Sequence, residues 1–298
     1  MKSENQIITT THGVTLAIKR EDLICPFVSG NKFRKLKYNL RRAEKENCKR
    51  LLTFGGAFSN HIAAVAAVGK MHAIETIGII RGEELAGKIH ENPTLKFAHE
   101  CGMNLKFISR ESYRNKDDAS FIEQLRQQWG NFYLIPEGGT NALAVKGCEE
   151  ILGDEDSQFD YICCAVGTGG TIAGLINSAL PHQKILGFPA LKGTFLKEEI
   201  CRFARKDHWE IISGYDFGGY GKIDETLIAF LNRFYHKTKI PLDPVYTGKM
   251  VFGVIDLIEA GYFDEGSKIL MIHTGGIQGI QGMNLRLKKI NLPLINYP

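Results

Sequence analysis

The sequence lacks the marks of several common protein classes. No Cys-x-x-Cys pair occurs: Cys25, Cys48, Cys101, Cys148 and Cys201 are scattered, and Cys163-Cys164 are adjacent inside an apolar run. An odd count without paired spacing argues for reduced, buried thiols rather than a disulfide framework or a zinc site. No apolar run approaches membrane-spanning length, and the polar N-terminal residues carry no apolar leader segment. A cytoplasmic protein with no membrane partner is expected. Charge of one sign is also scarce, a net +4 over 298 residues with no long basic run, so nucleic acid is not an expected partner. Repeats and low-complexity segments are absent. The 44% hydrophobic content suffices for a core in one large domain or two ordinary ones.

Apolar runs bounded by turn residues predict strands at 14–20, 50–54, 76–80, 104–108, 132–135, 161–166, 185–188, 210–212 and 268–273. Helical spacing predicts helices from Lys32 onward and at 62–70, 92–101, 120–129, 143–152, 172–180, 224–236 and 250–260. Strand and helix alternating at this pitch argue for an α/β protein with parallel sheets. The region 181–240 is the least legible.

One stretch organises the rest: Ser29-Gly30-Asn31-Lys32-Phe33-Arg34-Lys35-Leu36. Asn31 is a suitable N-cap, and Phe33, Leu36, Leu40 and Ala43 form one apolar helical face. A lysine in a helix's first turn meets the positive end of the dipole, and Arg34 and Lys35 crowd it further. Both effects favour the neutral, nucleophilic amine. Taken alone, the stretch fits a solvated basic face better, since Lys37, Arg41, Arg42 and Lys45 continue it.

Other segments change that balance. Gly167-Thr168-Gly169-Gly170-Thr171 follows the 161–166 strand and opens a helix, which suits a phosphate cup: glycines allow close backbone approach, and hydroxyls add donors at a helix N-terminus. It is neither a Walker loop nor a dinucleotide fingerprint. Gly55-Gly56 leads through Ser59-Asn60 into another helix start, which offers a seat for a carboxylate or phosphate. Tyr220 and Tyr246 lie in glycine- and aromatic-rich loops, and Thr274 ends a strand where open α/β sheets bind ligands. Each feature alone has a plain packing explanation. Together they suit pyridoxal 5'-phosphate, whose phosphate needs a cup and whose aldehyde needs a lysine.

The same segments carry a resemblance. Lys19-Arg20-Glu21-Asp22-Leu23, Gly30 to Leu36, Gly55-Gly56 with Ser59-Asn60-His61, Gly167 to Thr171, Asp243-Pro244-Val245-Tyr246-Thr247-Gly248-Lys249 and His273-Thr274-Gly275-Gly276 occur in order over nearly the whole chain. They resemble the marker segments of the 1-aminocyclopropane-1-carboxylate deaminase / D-cysteine desulfhydrase family. The resemblance implies a tryptophan synthase β-like fold (fold type II) with two αβα domains: a large cofactor-binding domain of residues 1–35 and 140–298, and a small inserted domain of residues 36–139. It implies a homodimer acting on a small amino acid. It further implies that Lys32 anchors the cofactor, Asn60 bonds the ring's phenolic oxygen, and Gly167, Thr168, Gly169, Gly170 and Thr171 hold the phosphate. Ser59 would be a proton-relay candidate beside the substrate carboxylate, and Tyr220 and Tyr246 would face the reacting atoms.

Thr247 and Thr274 mark the branch within that family, where deaminases resemble one another in having glutamate and leucine. A carboxylate beside the ring nitrogen would keep it protonated, as opening an unactivated cyclopropane demands, whereas threonine offers only a neutral hydrogen bond. D-cysteine desulfhydrase chemistry, giving pyruvate, hydrogen sulfide and ammonia, is therefore expected. The nearest alternative is deamination of 1-aminocyclopropane-1-carboxylate to 2-oxobutyrate, and the alternatives further off are a serine or threonine racemase or dehydratase and a non-catalytic pyridoxal-phosphate- or nucleotide-binding regulatory module. Ala57-Phe58, Lys222 after Tyr220-Gly221, and the short chain depart from the family pattern; the first two bear on the substrate pocket more than on the cofactor seat.

Overall fold

The computed structural model describes residues 2–28, 30–193 and 195–297; Ser29, at the head of the lysine stretch, lies outside them. The chain runs β1 (Asn5–Thr11), β2 (Val14–Lys19), α1 (Asn31–Lys45), β3 (Arg50–Gly55), α2 (Asn60–His72), β4 (Glu75–Arg81), α3 (Pro93–Glu100), β5 (Asn104–Ile108), α4 (Ala119–Trp129) and β6 (Tyr133–Ile135). It continues through α5 (Ala142–Cys148), β7 (Tyr161–Val166), α6 (Gly170–Ser178), β8 (Lys184–Pro189), α7 (Phe195–Cys201), β9 (Trp209–Ile211), α8 (Glu225–Thr238), α9 (Thr247–Glu259), β10 (Lys268–Ile272) and α10 (Gly279–Lys289).

Two sheets result. One has the order β1-β2-β10-β7-β8-β9 and is parallel except for the β1–β2 pair; the other has the order β5-β4-β3-β6 and is parallel throughout. The second sheet is drawn entirely from chain lying between two strands of the first. Parallel strands covered on both faces need continuous apolar runs, and Tyr161-Ile162-Cys163-Cys164-Ala165-Val166 shows how one is used. Successive side chains point to opposite faces: Cys163 joins a core with Leu231 of α8, Met250 of α9 and Ile280 of α10, while Cys164 joins one with Cys148 of α5, Leu175 of α6 and Ile200 of α7. The smaller sheet has the same three layers, with Leu51 and Ile80 facing α2 and α3, and Leu52 and Phe54 facing Leu125 of α4.

The structure departs from the sequence expectations in places. Gly30, not Asn31, is the N-cap of α1, and Asn31 is its first helical residue. Helix α9 begins at Thr247 rather than Met250, because the Asp243 carboxylate accepts the backbone N–H groups of Val245, Tyr246 and Thr247 at 3.0, 2.7 and 2.7 Å. Helices α7 and α10 have no counterpart in the sequence reading. Two glycines, Gly279 and Gly282, weaken the helical signal of α10; at Gly282 the missing side chain makes room for the Phe58 ring, 2.6 Å from where a Cβ would lie. Among the described residues, no helix is long and apolar enough to cross a membrane.

Candidate active site

The lysine-bearing turn is held at the C-terminal end of the larger sheet by backbone contact. At Gly30, φ is +57° and a Cβ would lie 2.0 Å from the Thr274 carbonyl oxygen, an approach only glycine tolerates. Asn31 N donates to Thr274 O at 3.3 Å, and Asn31 Nδ2 donates to Thr171 Oγ1 at 2.8 Å. The first turn of α1 is thus bonded both to the end of β10 and to the glycine turn beyond β7.

Of the residues singled out from sequence, Lys32, Asn60, Gly167, Thr168, Gly169, Thr171, Tyr246 and Thr274 line one cavity. Gly170 is buried in the same turn, and Thr247 is buried behind Thr274, with their Oγ1 atoms 3.3 Å apart. Ser59 and Tyr220 are not on the cavity wall. Ser59 N-caps α2, its Oγ accepting from Ile62 N at 3.3 Å, and Tyr220 meets Tyr246 edge-on with ring centroids 6.0 Å apart.

The Lys32 amine has no hydrogen-bond partner among the described residues and faces the cavity. Burial, followed by the charge of Lys35, lowers its pKa to about 7, against the opposing pull of Cys148 and Asp243. Arg34 does not crowd it as expected: its guanidinium turns away into a buried pair with Glu21, at 2.9 and 2.8 Å, and Ser3 Oγ also donates to that carboxylate at 2.6 Å. The Arg20-Glu21-Asp22 segment therefore contributes an anchor for α1 rather than a group in the cavity.

Lys35 is the main residue the sequence reading undervalued. It is buried, lines the same cavity, and donates to Gly138 O at 3.0 Å and Thr140 Oγ1 at 2.9 Å, with Thr168 Oγ1 at 3.5 Å. Burial lowers its pKa as well. Its spacing of i+3 from Lys32 puts both on one helix face, a signal available in the sequence. Burial, followed by the nearby Lys32 and Lys35, holds His61 well below its ordinary pKa, with its Nε2 at 2.8 Å from Thr53 Oγ1.

The glycine turn has the form of an anion seat. Gly169 has φ +79° and gives α6 no side-chain cap, so the first-turn N–H groups remain available to an external acceptor. A Cβ at Gly170 would lie 2.8 Å from Thr140 Oγ1 and 3.3 Å from Lys35 Nζ, and one at Gly167 would lie 3.0 Å from the Tyr246 ring. A dianionic group here meets backbone donors, two hydroxyls and an ammonium; a neighbouring carbonyl carbon meets an amine whose pKa is lowered to about 7. That donor set fits pyridoxal phosphate.

The opposite wall is built from side chains. Asn60 accepts from Gln278 Nε2 at 3.0 Å, while its Nδ2 lies 2.6 Å from where a Gly276 Cβ would be. Gly275 N donates to His273 Nδ1 at 3.1 Å, so the ring proton sits on Nε2, which donates to Pro241 O at 2.7 Å. Desolvation raises the pKa of both tyrosine hydroxyls, so both keep their protons at neutral pH.

Comparison with known proteins follows the same lines. The family model described as pyridoxal-phosphate dependent enzyme matches residues 6–275. A Pyrococcus horikoshii protein provisionally named a 1-aminocyclopropane-1-carboxylate deaminase is 31% identical, over 90% of this chain and 86% of its own length. The bifunctional D-cysteine desulfhydrase/1-aminocyclopropane-1-carboxylate deaminase, mitochondrial, of Arabidopsis thaliana is 30% identical, over 90% of this chain and 74% of its own. The crystal structure of an ACC deaminase homologue superposes with a TM-score of 0.85 at 29% identity, covering 97% of this chain and 94% of that one. The fold is that of the fold-type II pyridoxal-phosphate enzymes.

Proposed function

The chain belongs to the pyridoxal-phosphate dependent enzymes and, among them, to the 1-aminocyclopropane-1-carboxylate deaminase / D-cysteine desulfhydrase family; from that premise we propose that it releases hydrogen sulfide from D-cysteine by β-elimination, with pyruvate and ammonia as the other products. One observation carries the choice of substrate: Thr247 and Thr274 form a buried hydroxyl pair, Oγ1 to Oγ1 at 3.3 Å, on the wall where the resemblance expects the cofactor's ring nitrogen. A hydroxyl there exchanges only a neutral hydrogen bond. That favours elimination of a good leaving group over opening of a cyclopropane. The nearby Asp243 carboxylate is occupied by three backbone N–H groups of the α9 start.

When bound, the cofactor supplies an electron sink for negative charge developing at the substrate Cα. The protein's own groups would do the rest. Lys32 would anchor the cofactor, and either its amine or the Ser59 hydroxyl would take the Cα proton. The α6 turn with Lys35 fixes the phosphate, and Asn60 orients the ring. Ser59, capping α2, borders the seat for the substrate carboxylate. Tyr220 would hold a proton at Oη for the departing sulfur, with Tyr246, edge-on to its ring, orienting it.

Residues 36–139 form the small domain in this proposal, a division supported by the origin of the whole four-stranded sheet in residues 50–135. Seven unpaired thiols suit a reducing, cytoplasmic setting, and the assembly is taken to be a homodimer. The deciding experiment offers the purified enzyme both substrates. Sulfide and pyruvate from D-cysteine support the proposal, and 2-oxobutyrate from 1-aminocyclopropane-1-carboxylate without sulfide release overturns it.

A further inference from the structure

The loop 215–222 sets Tyr220 edge-on against Tyr246, and from within it is held mainly by Asp216, whose Oδ1 accepts from Gly218 N at 2.6 Å and whose carbonyl accepts from Gly219 N at 3.0 Å. Phe217, Gly218, Gly219 and Gly221 all have positive φ, at 52°, 93°, 116° and 64°, and three glycines in a row of five residues leave many conformations open. Its root is tied down: Tyr215 packs against Gly253 and donates to Asp256 Oδ2 at 2.7 Å. Its far end is held by Arg286 of α10, whose Nη1 donates to Gly221 O at 2.6 Å. Between these, the tip is held by Lys249 alone among the described cations. Lys249 stands in the first turn of α9, 1% exposed, and its Nζ donates to Asp216 O at 2.7 Å and Gly219 O at 2.8 Å.

An ammonium is a costly choice for a buried packing role, since an apolar side chain of equal length fills the same space without desolvating a charge. Burial does lower the Lys249 pKa, to about 8, against the Asp216, Asp243 and Asp224 carboxylates that face it. It is therefore mostly charged at neutral pH, and its bonds to the two carbonyls are charge-assisted. Its position gives those bonds a use. Lys249 lies three residues after Tyr246, on the element that presents that tyrosine, and it grips the residue immediately before Tyr220.

We propose that Lys249 is a positioning residue: by clamping the carbonyls of Asp216 and Gly219 it sets Tyr220 opposite Tyr246 and acts on the reaction through Tyr220, without touching substrate. The kinetic half of this proposal rests on the lyase reading above; the clamp itself does not.

Hydrogen exchange of the holoenzyme tests the clamp. The amides of Gly219 and Lys222, bonded only to loop carbonyls at 3.0 and 3.1 Å, should exchange about tenfold faster or more in Lys249→Met, with those of β7 unchanged. Lys249→Gln, which keeps two N–H donors without the charge, should fall between wild type and Lys249→Met, and it stands in should the methionine variant fail to fold. Kinetics test the route. Lys249→Met should lower kcat for sulfide release about tenfold, with KM and cofactor content near wild type, whereas adding it to Tyr220→Phe should cost less than about twofold. Unchanged loop exchange, or an equal loss in both backgrounds, overturns the proposal. Should the protein turn over neither amino acid, the lyase reading falls and the exchange data alone decide the clamp.

Discussion

The two walls of the cleft are made differently. The phosphate side is backbone: the turn after β7, the uncapped start of α6, and Gly30 pressed against Thr274 O. The tyrosine side is made of side chains: Tyr246 at the start of α9, set by the local turn at Asp243, and Tyr220 on a loop held by Lys249 and Arg286 from other elements. The glycine turn of the backbone wall is specified by a few adjacent residues, whereas the Tyr220 side of the other wall depends on side chains from segments far apart in sequence. The first should fail abruptly and the second by degrees.

The sharpest test lies where the walls meet. Lys32→Ala removes the only cavity amine without a hydrogen-bond partner among the described residues. Activity should fall about 10³-fold or more while the fold survives, since the other cavity amine, Lys35, is engaged by Gly138 O and Thr140 Oγ1 and does not replace a covalent anchor. Activity of the variant close to wild type would break the assignment of Lys32, and a visible absorbance band that resists borohydride would do the same for the wild-type protein.

Lys35→Met tests the backbone wall. It removes one charged donor and leaves the N–H groups of α6 in place. A charge-assisted hydrogen bond contributes about 1.5–3 kcal/mol, so cofactor affinity, read by titrating apoprotein with pyridoxal phosphate, should weaken about 10- to 100-fold. No loss of affinity would mean that the backbone alone holds the phosphate.

The contrast between the walls also explains what was legible beforehand. The run Tyr161 to Val166 followed by Gly-Thr-Gly-Gly-Thr reads directly as buried strand and glycine turn, and the structure has that strand at those limits. Both sheets, and the meeting of Lys32 with the α6 turn in one cavity, likewise agree with local patterns. The two tyrosine loops were legible as glycine- and aromatic-rich, but their facing the reacting atoms came only through resemblance, because nothing local to residues 215–222 says that Lys249 and Arg286 will grip that loop. Asn31 misled for a related reason: its side chain is a good N-cap by type, but the close approach of Gly30 to Thr274 moves the cap one residue back and turns Asn31 toward Thr171. Lys35 looked like part of a solvated basic face, and its partners Gly138, Thr140 and Thr168 all lie more than 100 residues away.

On the side-chain wall, Thr247→Glu should change preference rather than abolish function. The new carboxylate would stand beside Thr274, where only a neutral hydroxyl pair exists now. The ratio of 2-oxobutyrate formed from 1-aminocyclopropane-1-carboxylate to sulfide formed from D-cysteine should rise about tenfold, one pKa unit of differential stabilisation corresponding to about 1.4 kcal/mol. A ratio that stays fixed would remove the hydroxyl pair as the basis for substrate choice.

The smallest effect joins the two walls through pH. With the Lys32 pKa lowered to about 7, the neutral amine that captures an aldehyde is the minor form below that pH and the major form above it. The rate at which apoprotein takes up pyridoxal phosphate, followed by absorbance after mixing, should rise with pH up to about 7 and then level off, rather than climb toward the ordinary lysine range. Because the folded pKa is below the unfolded one, the folded apoprotein binds fewer protons across the interval between them. Its stability should therefore rise as pH increases from about 7 toward 10.5. Lys35 is the second cause of the lowering, after burial, so Lys35→Met should move the levelling-off to higher pH without restoring an ordinary lysine. A levelling-off that does not move would mean that burial alone sets the Lys32 pKa and that the two lysines, one turn apart on α1, act independently.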